Sequence, residues 1–472
     1  MENSENISRR DFIKKAGLGL LAASAIAQSC SDDSKQVSAA VNIPKGKMTL
    51  RENPNTKDKV SLLGYGMMRL PVISQSNDKI QGSARESNAP IDQETVNKMV
   101  DYAIEHGVNY FDTSPAYCKG KSEHSTGIAL SRHDRKKYFI ATKLSNYNPA
   151  TWSRKASMEM FENSLKELQV DYIDYLLLHG VGMGEDALHD FNGRYIDNGI
   201  LDWLVEQKQK GRIRNLGFSY HGDIRIFDML LKWHDEGKYH WDFVQIQMNY
   251  VDWKYAKLIL ERNTNAEYLY SELEKRGIPA VVMEPLLGGR LVKMPDKIVE
   301  QMKRREPERS VASWSFRFLG TYPNVMTSLS GMTYMENLED NLITHCPMKT
   351  LNDEEMRFLA DVAKQIVEMK TVPCNECQYC MPCPYGLDIP SIFSHYNKCI
   401  TEGNLAETSA DSDYKKQRRA FLIGYDRSVS KLRQANMCTS CRECVSHCPQ
   451  RIDIPAELQK IDRHVEHLKR HA

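Results

Sequence analysis

Eight short apolar runs, each followed by an amphipathic stretch, recur between Met48 and about residue 345, and such alternation confines this region to parallel α/β architecture. The runs are Lys59–Gly66, Asn109–Ser114, Tyr138–Lys143, Tyr172–His179, Arg212–Tyr220, Phe243–Asn249, Pro279–Pro285 and Val325–Gly331. Among the spans between them, Gln93–His106 (QETVNKMVDYAIEH) is the clearest helix, with apolar residues three and four apart and Gly107 as the stop. Eight strand–helix units fit a (β/α)8 TIM barrel. A doubly wound sheet competes, but no G-x-G-x-x-G opens a helix in this span. Met48–Asn53 reads as half of a hairpin closing the barrel floor, and the polar, turn-rich Ser74–Pro90 reads as an exposed loop.

Chemistry in such a barrel sits at the C-terminal strand ends. Read in order, those ends offer Asp112 with Tyr117 five residues on, then Lys143, His179, Ser219, Gln245 and Pro285. Singly, each has a plain structural explanation: a loop aromatic, a strand-end ion pair, a satisfied core histidine. Their recurrence at one end of a closed barrel marks a site. The segments NYFDTSPAY, ATKL, YLLLHG, GRIRNLGFSY, VQIQMNY and SGMTYMENLEDN resemble, in order, the blocks of an aldo-keto reductase over residues 48–345. That resemblance implies a catalytic tetrad of Asp112, Tyr117, Lys143 and His179. It also implies a nicotinamide cofactor, with Ser219 and Gln245 at its carboxamide. Gly66, Met67, Pro285, Leu286, Gly288, Ser330, Gly331, Asp340 and Asn341 are its further implied contacts.

The residue types suit that chemistry. Hydride delivered to a carbonyl carbon leaves an alkoxide that needs a proton. A tyrosine, with an ordinary pKa of about 10, is a reluctant donor or base at neutral pH, and a lysine ammonium beside it stabilises the phenolate. Asp112 would hold that lysine through a charge-assisted bond, and His179 would orient the substrate oxygen. The positions that align with contacts to an NADP 2′-phosphate hold Gly331, Met332 and Asn337, none of them cationic, so the cofactor reads as NAD or NADP without preference for the phosphate.

With 472 residues the chain is long enough for a second folded unit. Nine of its twelve cysteines lie beyond residue 370, and eight of those form two runs. The first is Cys374, Cys377, Cys380 and Cys383 followed by Pro384; the second is Cys438, Cys441, Cys444 and Cys448 followed by Pro449. Three cysteines at two-residue gaps and a fourth before proline form the bacterial ferredoxin pattern, in which the fourth ligates the other cluster. One 4Fe-4S cluster then takes Cys374, Cys377, Cys380 and Cys448, and a second takes Cys438, Cys441, Cys444 and Cys383. Two zinc sites would not need the third evenly spaced cysteine or the proline. An internal echo, CPYGLDIP answering CPQRIDIP, supports the pairing, and helical periodicity around Ser391–Ile400 and Asp413–Leu422 resembles a mainly α-helical dicluster ferredoxin. Residues 371–465 are read as this domain and 346–370 as a helical connector. Cys118, Cys346 and Cys399 read as buried small hydrophobes.

The chain opens with Ser8-Arg9-Arg10-Asp11-Phe12 and a short apolar run from Ala16 to Ala27, which resembles a twin-arginine signal over residues 1–30. Cys30 lies in a loose lipobox, and residues 31–47 form a polar linker. The expectation is a bacterial protein exported by that route, either periplasmic or anchored as a lipoprotein through a single lipid. The formal charge of +1, with no basic stripe, argues against a nucleic-acid partner.

Together these features predict an oxidoreductase moving hydride between NAD(P)H and a carbonyl or alcohol, joined to two clusters. Nicotinamides carry two electrons and clusters one, so a redox partner, a flavoprotein or another electron carrier, is expected between them. Outside the cytoplasm free nicotinamide is scarce, which favours a tightly held cofactor. The rival reading is a non-catalytic or redox-sensing barrel subunit of an iron-sulfur complex.

Overall fold

The computed structural model describes residues 43–73, 80–84, 89–184, 186–259, 263–369, 371–374, 376, 378–406, 408, 412–448, 450 and 452–470. The twin-arginine segment, Cys30, most of the polar linker and Cys377 lie outside them. The strands are Leu50–Glu52 (β1), Lys59–Ser61 (β2), Leu63–Gly66 (β3), Pro71–Ile73 (β4), Ile80–Ser83 (β5) and Tyr110–Asp112 (β6). They continue with Phe139–Leu144 (β7), Ile173–Val181 (β8), Ile213–Tyr220 (β9), Phe243–Gln247 (β10), Ala280–Met283 (β11) and Val325–Ser330 (β12). Eight of them close into a parallel barrel in the order β3-β6-β7-β8-β9-β10-β11-β12, with β12 returning to β3. This is the (β/α)8 architecture.

Side chains alternate across each strand, so one set fills the barrel and the other meets the helices. Tyr110, Ala141, Tyr175, Leu177, Phe243, Val281, Met326 and Leu329 pack inside. A larger shell that includes Leu176, Leu178, Leu216, Phe218 and Val244 packs outward with Phe161, Leu204 and Phe227 of the surrounding helices.

The run Lys59–Gly66 is not one strand. It breaks at Leu62, whose backbone N–H donates to Thr49 and whose carbonyl accepts from Ser328, so the residue hands the chain from hairpin to barrel. β2 pairs antiparallel with β1, and Val60 enters the barrel core from below. Asn53 completes this floor, donating to the Tyr175 hydroxyl at 3.0 Å. The stretch read as a loop after Ile73 is in part a strand: β4 and β5 form a second hairpin, anchored by buried Val72.

The helix Asp353–Glu368, in the span read as a connector, seats Leu359, Val362 and Ala363 in the barrel's outer core. Beneath it, buried Arg317 reaches Glu355 at 2.6 Å and Glu306 at 3.2 Å. Beyond it, the helices Ile389–Thr401, Tyr414–Ser428 and Ile454–Arg470 build a separate core around Ile392, Phe393, Phe421, Tyr425 and Ile461. Asp388 and Asp453 cap the first and last of these helices, accepting from Ser391 and Ala456 backbone N–H groups. The repeated D-I-P of the cysteine echo is therefore a repeated helix start.

On the helix Ser122–Leu130, Gly127 touches its neighbour so closely that an added Cβ would lie 2.2 Å from the Glu167 carbonyl oxygen. Alanine would gain about 1 kcal/mol of helix propensity, but overpacking against fixed backbone costs about 1–3 kcal/mol or more. Gly127→Ala is expected to lose stability by about 1 kcal/mol or more, read as a lower urea midpoint by circular dichroism.

Candidate active site and cluster sites

β6 and β7 are neighbours in the barrel, and their C-terminal ends bring Asp112 and Lys143 together. The Lys143 ammonium donates to both Asp112 carboxylate oxygens, at 2.7 and 2.8 Å, and to the Thr113 carbonyl at 2.8 Å. Both side chains are buried. Burial pushes the lysine pKa down and the aspartate pKa up, and each partner's charge opposes that push on the other. Tyr117 opens a tight turn in which Cys118 and Lys119 both adopt positive φ. That turn carries the Tyr117 ring over the strand ends, with the Lys143 nitrogen 4.8 Å from its centroid. His179, on β8, stands edge-on to Tyr117 with ring centroids 5.8 Å apart.

His179 has neighbours that sequence reasoning missed. Its Nδ1 shares hydrogen bonds with Ser145 Oγ at 2.6 Å and Ser114 Oγ at 3.3 Å, and the two hydroxyls are 2.9 Å apart. Burial holds the imidazole pKa well below its usual value, and the charges of Lys143, His221 and Arg194 push the same way. The ring is therefore neutral at physiological pH, with Nδ1 engaged and Nε2 left for a ligand. Arg194 is buried and donates to the His179 carbonyl at 2.5 Å and to Tyr195 at 2.7 Å, while its guanidinium lies over the Tyr147 ring. The Tyr147 ring is 5.0 Å from that of His179 and partly open to solvent. Ser114 ends a run already singled out and Ser145 follows another, so the positions were readable; the partnership was not.

The implied cofactor contacts divide by their bonding. Gln245 is buried in the middle of β10, with its Oε1 lacking a hydrogen-bond partner among the described residues, a polar atom that could accept from a donor such as a carboxamide NH2. Ser219 Oγ accepts from the Gly180 backbone N–H at 2.8 Å. Met67 is buried, and its carbonyl accepts from Ser122 Oγ at 2.7 Å. Pro285, Leu286 and Gly288 form the turn after β11, with Gly288 at positive φ. Gly66 ends β3 beside Ser330. Asn341 donates to Ser330 Oγ at 2.9 Å, and the Asp340 carboxylate accepts from Ser310 at 2.7 Å. Met332, aligned with a phosphate contact, is packed in the core, and Asn337 Oδ1 accepts from the Tyr334 backbone. Gly331 is exposed, and an added Cβ would meet the Arg69 side chain at 3.0 Å. The fold thus lays the aliphatic stem of Arg69 against Gly331.

In the C-terminal module the sulfurs line two small cavities. Cys374, Cys380 and Cys448 line the first, with Ile389, Phe393 and Ile454 among the walls. Cys383, Cys438, Cys441 and Cys444 line the second, with Leu387, Pro455 and Leu458. Cys448 of the second run thus lies with the first run's sulfurs, and Cys383 of the first run with the second's. Among the described residues, no three metal-ligating side chains converge as they would on a single ion. All-sulfur donors spread around apolar cavities suit a polynuclear iron-sulfur group better than zinc. Cys118, Cys346 and Cys399 are buried elsewhere.

Comparison with known proteins gives the barrel its family. The aldo/keto reductase family model matches residues 79–364. The chain belongs to the aldo/keto reductase family. The 4Fe-4S dicluster domain model matches residues 373–454, so the reductase barrel carries an iron-sulfur domain. The barrel is similar to the oxidoreductase YqkF of Bacillus subtilis, 28% identical over 57% of this chain and 87% of that protein. It is also similar to the L-galactose dehydrogenase of Arabidopsis thaliana, 29% identical over 37% of this chain and 49% of that enzyme. Among solved structures, the aldo-keto reductase AKR11C1 of Bacillus halodurans in its holo form shares the fold with a TM-score of 0.51. The two are 21% identical, over 67% of this chain and 96% of that one.

Glu123 is a further buried group that sequence reasoning passed over in this reductase. It lies beside β7, accepting from Thr142 Oγ1 at 2.5 Å. Burial pushes its carboxyl up to about 7 from 4.5, against opposing bonds from Thr142 and Ser164 and the charge of Lys143. A carboxyl raised in the fold keeps its proton where the unfolded chain has lost it. Stability therefore falls as pH rises from about 4.5 to about 7, and the loss is complete above that. The cost is about 3 kcal/mol. Glu123→Gln should remove it: the variant's stability relative to the native protein is expected to rise by about 2–3 kcal/mol between pH 5 and pH 8, measured by chemical denaturation.

Proposed function

We propose that this family member transfers hydride between NAD or NADP and a small carbonyl or alcohol substrate, with Tyr117 as general acid and base. The observation that carries the reading is the Asp112-held Lys143 ammonium, 4.8 Å from the Tyr117 ring centroid, facing a neutral His179. When bound, the nicotinamide supplies or accepts the hydride. Gln245 Oε1 offers an acceptor for its carboxamide, and Ser330, Gly331, Asp340 and Asn341 line the end assigned to its adenine. Tyr117 gives its phenolic proton to the oxygen of the reduced carbonyl, and takes it back in the oxidative direction. Lys143 stabilises the phenolate left behind, while Asp112 keeps the ammonium in place. His179 directs Nε2 at the substrate oxygen, its ring held at Nδ1 by the Ser145 and Ser114 hydroxyls.

The cysteine module holds two 4Fe-4S clusters in this reading, one on Cys374, Cys377, Cys380 and Cys448, the other on Cys383, Cys438, Cys441 and Cys444. They exchange single electrons with a partner, a flavoprotein or another carrier, which joins them to two-electron chemistry. The protein leaves the cytoplasm folded, through its twin-arginine segment, with the nicotinamide tightly held.

Tyr117→Phe, in full-length protein purified anaerobically, should lower carbonyl reduction by about 10²–10⁴-fold, with nicotinamide binding unchanged by fluorescence titration. Wild-type protein that binds no nicotinamide would overturn the reductase reading and leave the barrel a binding or redox-sensing subunit. Metal analysis should return about eight irons per chain; near-stoichiometric zinc without iron would remove the clusters.

A further inference from the structure

His179 stands where the strand pairing is irregular. Leu178 of β8 pairs with Phe218 of β9 and Val181 pairs with Tyr220, and the register shifts between them, at His179 and Gly180. Irregularities of this kind re-aim side chains at barrel rims. Two side chains grip the peptide that joins His179 to Gly180. Ser219 Oγ accepts from the Gly180 N–H at 2.8 Å, and Arg194 Nη2 donates to the His179 carbonyl at 2.5 Å. Arg194 sits in a π-helical turn, Asn192–Ile196, a wide turn that recurs at functional sites. The guanidinium is not needed to hold that turn, because the Arg194 carbonyl accepts from Asn146 and Asn198 side chains, each at 2.9 Å. Arg194 is buried, and among the described residues no carboxylate pairs with it. Its further bonds go to Tyr195 Oη at 2.7 Å, Asn146 Oδ1 at 3.3 Å and, more loosely, the Gly180 carbonyl at 3.5 Å. It also lies 4.7 Å from the centroid of the Tyr147 ring, whose own centroid is 5.0 Å from that of His179.

We propose that Arg194 is a positioning residue of the reductase: by clamping the His179–Gly180 peptide and the Tyr147 ring, it sets the direction from which His179 Nε2 meets the substrate oxygen. The proposal rests on the hydride-transfer reading. A buried charge is costly to a fold, and this one is spent on the backbone of one strand end. A guanidinium offers several donors in fixed directions, which a lysine does not reproduce. Ser145 and Ser114 already tie Nδ1 of the imidazole, so with its backbone clamped the ring has little freedom left. Misplacement of a catalytic group by about 1 Å can cost about 10²-fold in rate.

The test is a double-mutant cycle in full-length protein purified anaerobically, with benzaldehyde and NADH or NADPH as probe substrates. Arg194→Gln is expected to lower kcat by about tenfold or more, with KM for the aldehyde within about threefold of wild type. Arg194→Lys should lose less. In a His179→Ala background neither substitution should lower kcat further by more than about twofold, because the group being positioned is gone. Nicotinamide affinity, read by fluorescence titration, should stay unchanged. By NMR of histidine-labelled protein without cofactor, the ring resonance that His179→Ala removes should shift in R194Q. Wild-type kcat in R194Q, an equal loss in both backgrounds, an unmoved resonance or lost nicotinamide binding would overturn the proposal. If R194Q does not fold, R194K carries the same cycle, and failure of both to fold defeats the positioning role. If the wild type binds nicotinamide but leaves benzaldehyde unreduced, the resonance alone decides. A wild-type chain that binds no nicotinamide removes the hydride-transfer reading itself.

Discussion

Lys143 carries an ammonium inside the wall of a closed barrel, where an isolated charge would cost several kcal/mol and give up its proton. It stays because Asp112 meets it with both carboxylate oxygens and Thr113 supplies a carbonyl. Neither charge is tolerable without the other. The pair in turn requires β6 and β7 to be adjacent and in register, so the catalytic arrangement and the strand order stand or fall together. Burial does most to hold His179 neutral, and the Lys143 ammonium, which also faces the Tyr117 ring, pushes the same way.

Around that pair, the barrel is closed at one end and open at the other. Asn53 and Val60 fill the floor, which leaves the strand C-termini as the accessible face. The helix Asp353–Glu368 packs into the barrel's outer shell and leads the chain toward the cysteine module. Arg290 and Thr371 then meet across the two units. The turn after β11 and the cysteine module therefore meet at this hydrogen bond.

How far the sequence reached depended on the range of the interaction. Barrel architecture rests on periodicity, a local property, and all eight barrel strands overlap the runs identified from it. Lys59–Gly66 was misread as continuous because hairpin and barrel strands share the same alternation; only the bond from Leu62 to Thr49 reveals the break. The β4–β5 hairpin was hidden because its short strands sit in a polar stretch, and Val72 becomes core only when the barrel is assembled.

Residue chemistry and spacing alone determined the barrel class, a set of ionisable and polar residues at the strand ends, and the two cysteine runs; the tetrad and nicotinamide contacts came from the resemblance of the sequence blocks to a known family. These follow from period, motif order and donor type, which are written along the chain. Tertiary structure decided what depends on partners distant in sequence. It turned Ser114, Ser145 and Arg194 into the surroundings of His179, and it hid Glu123 behind β7 until burial raised its carboxyl. It also laid Arg69 against Gly331, buried Met332, and brought Arg290 to Thr371. Burial and electrostatic coupling are properties of three-dimensional neighbours, and no linear pattern encodes them.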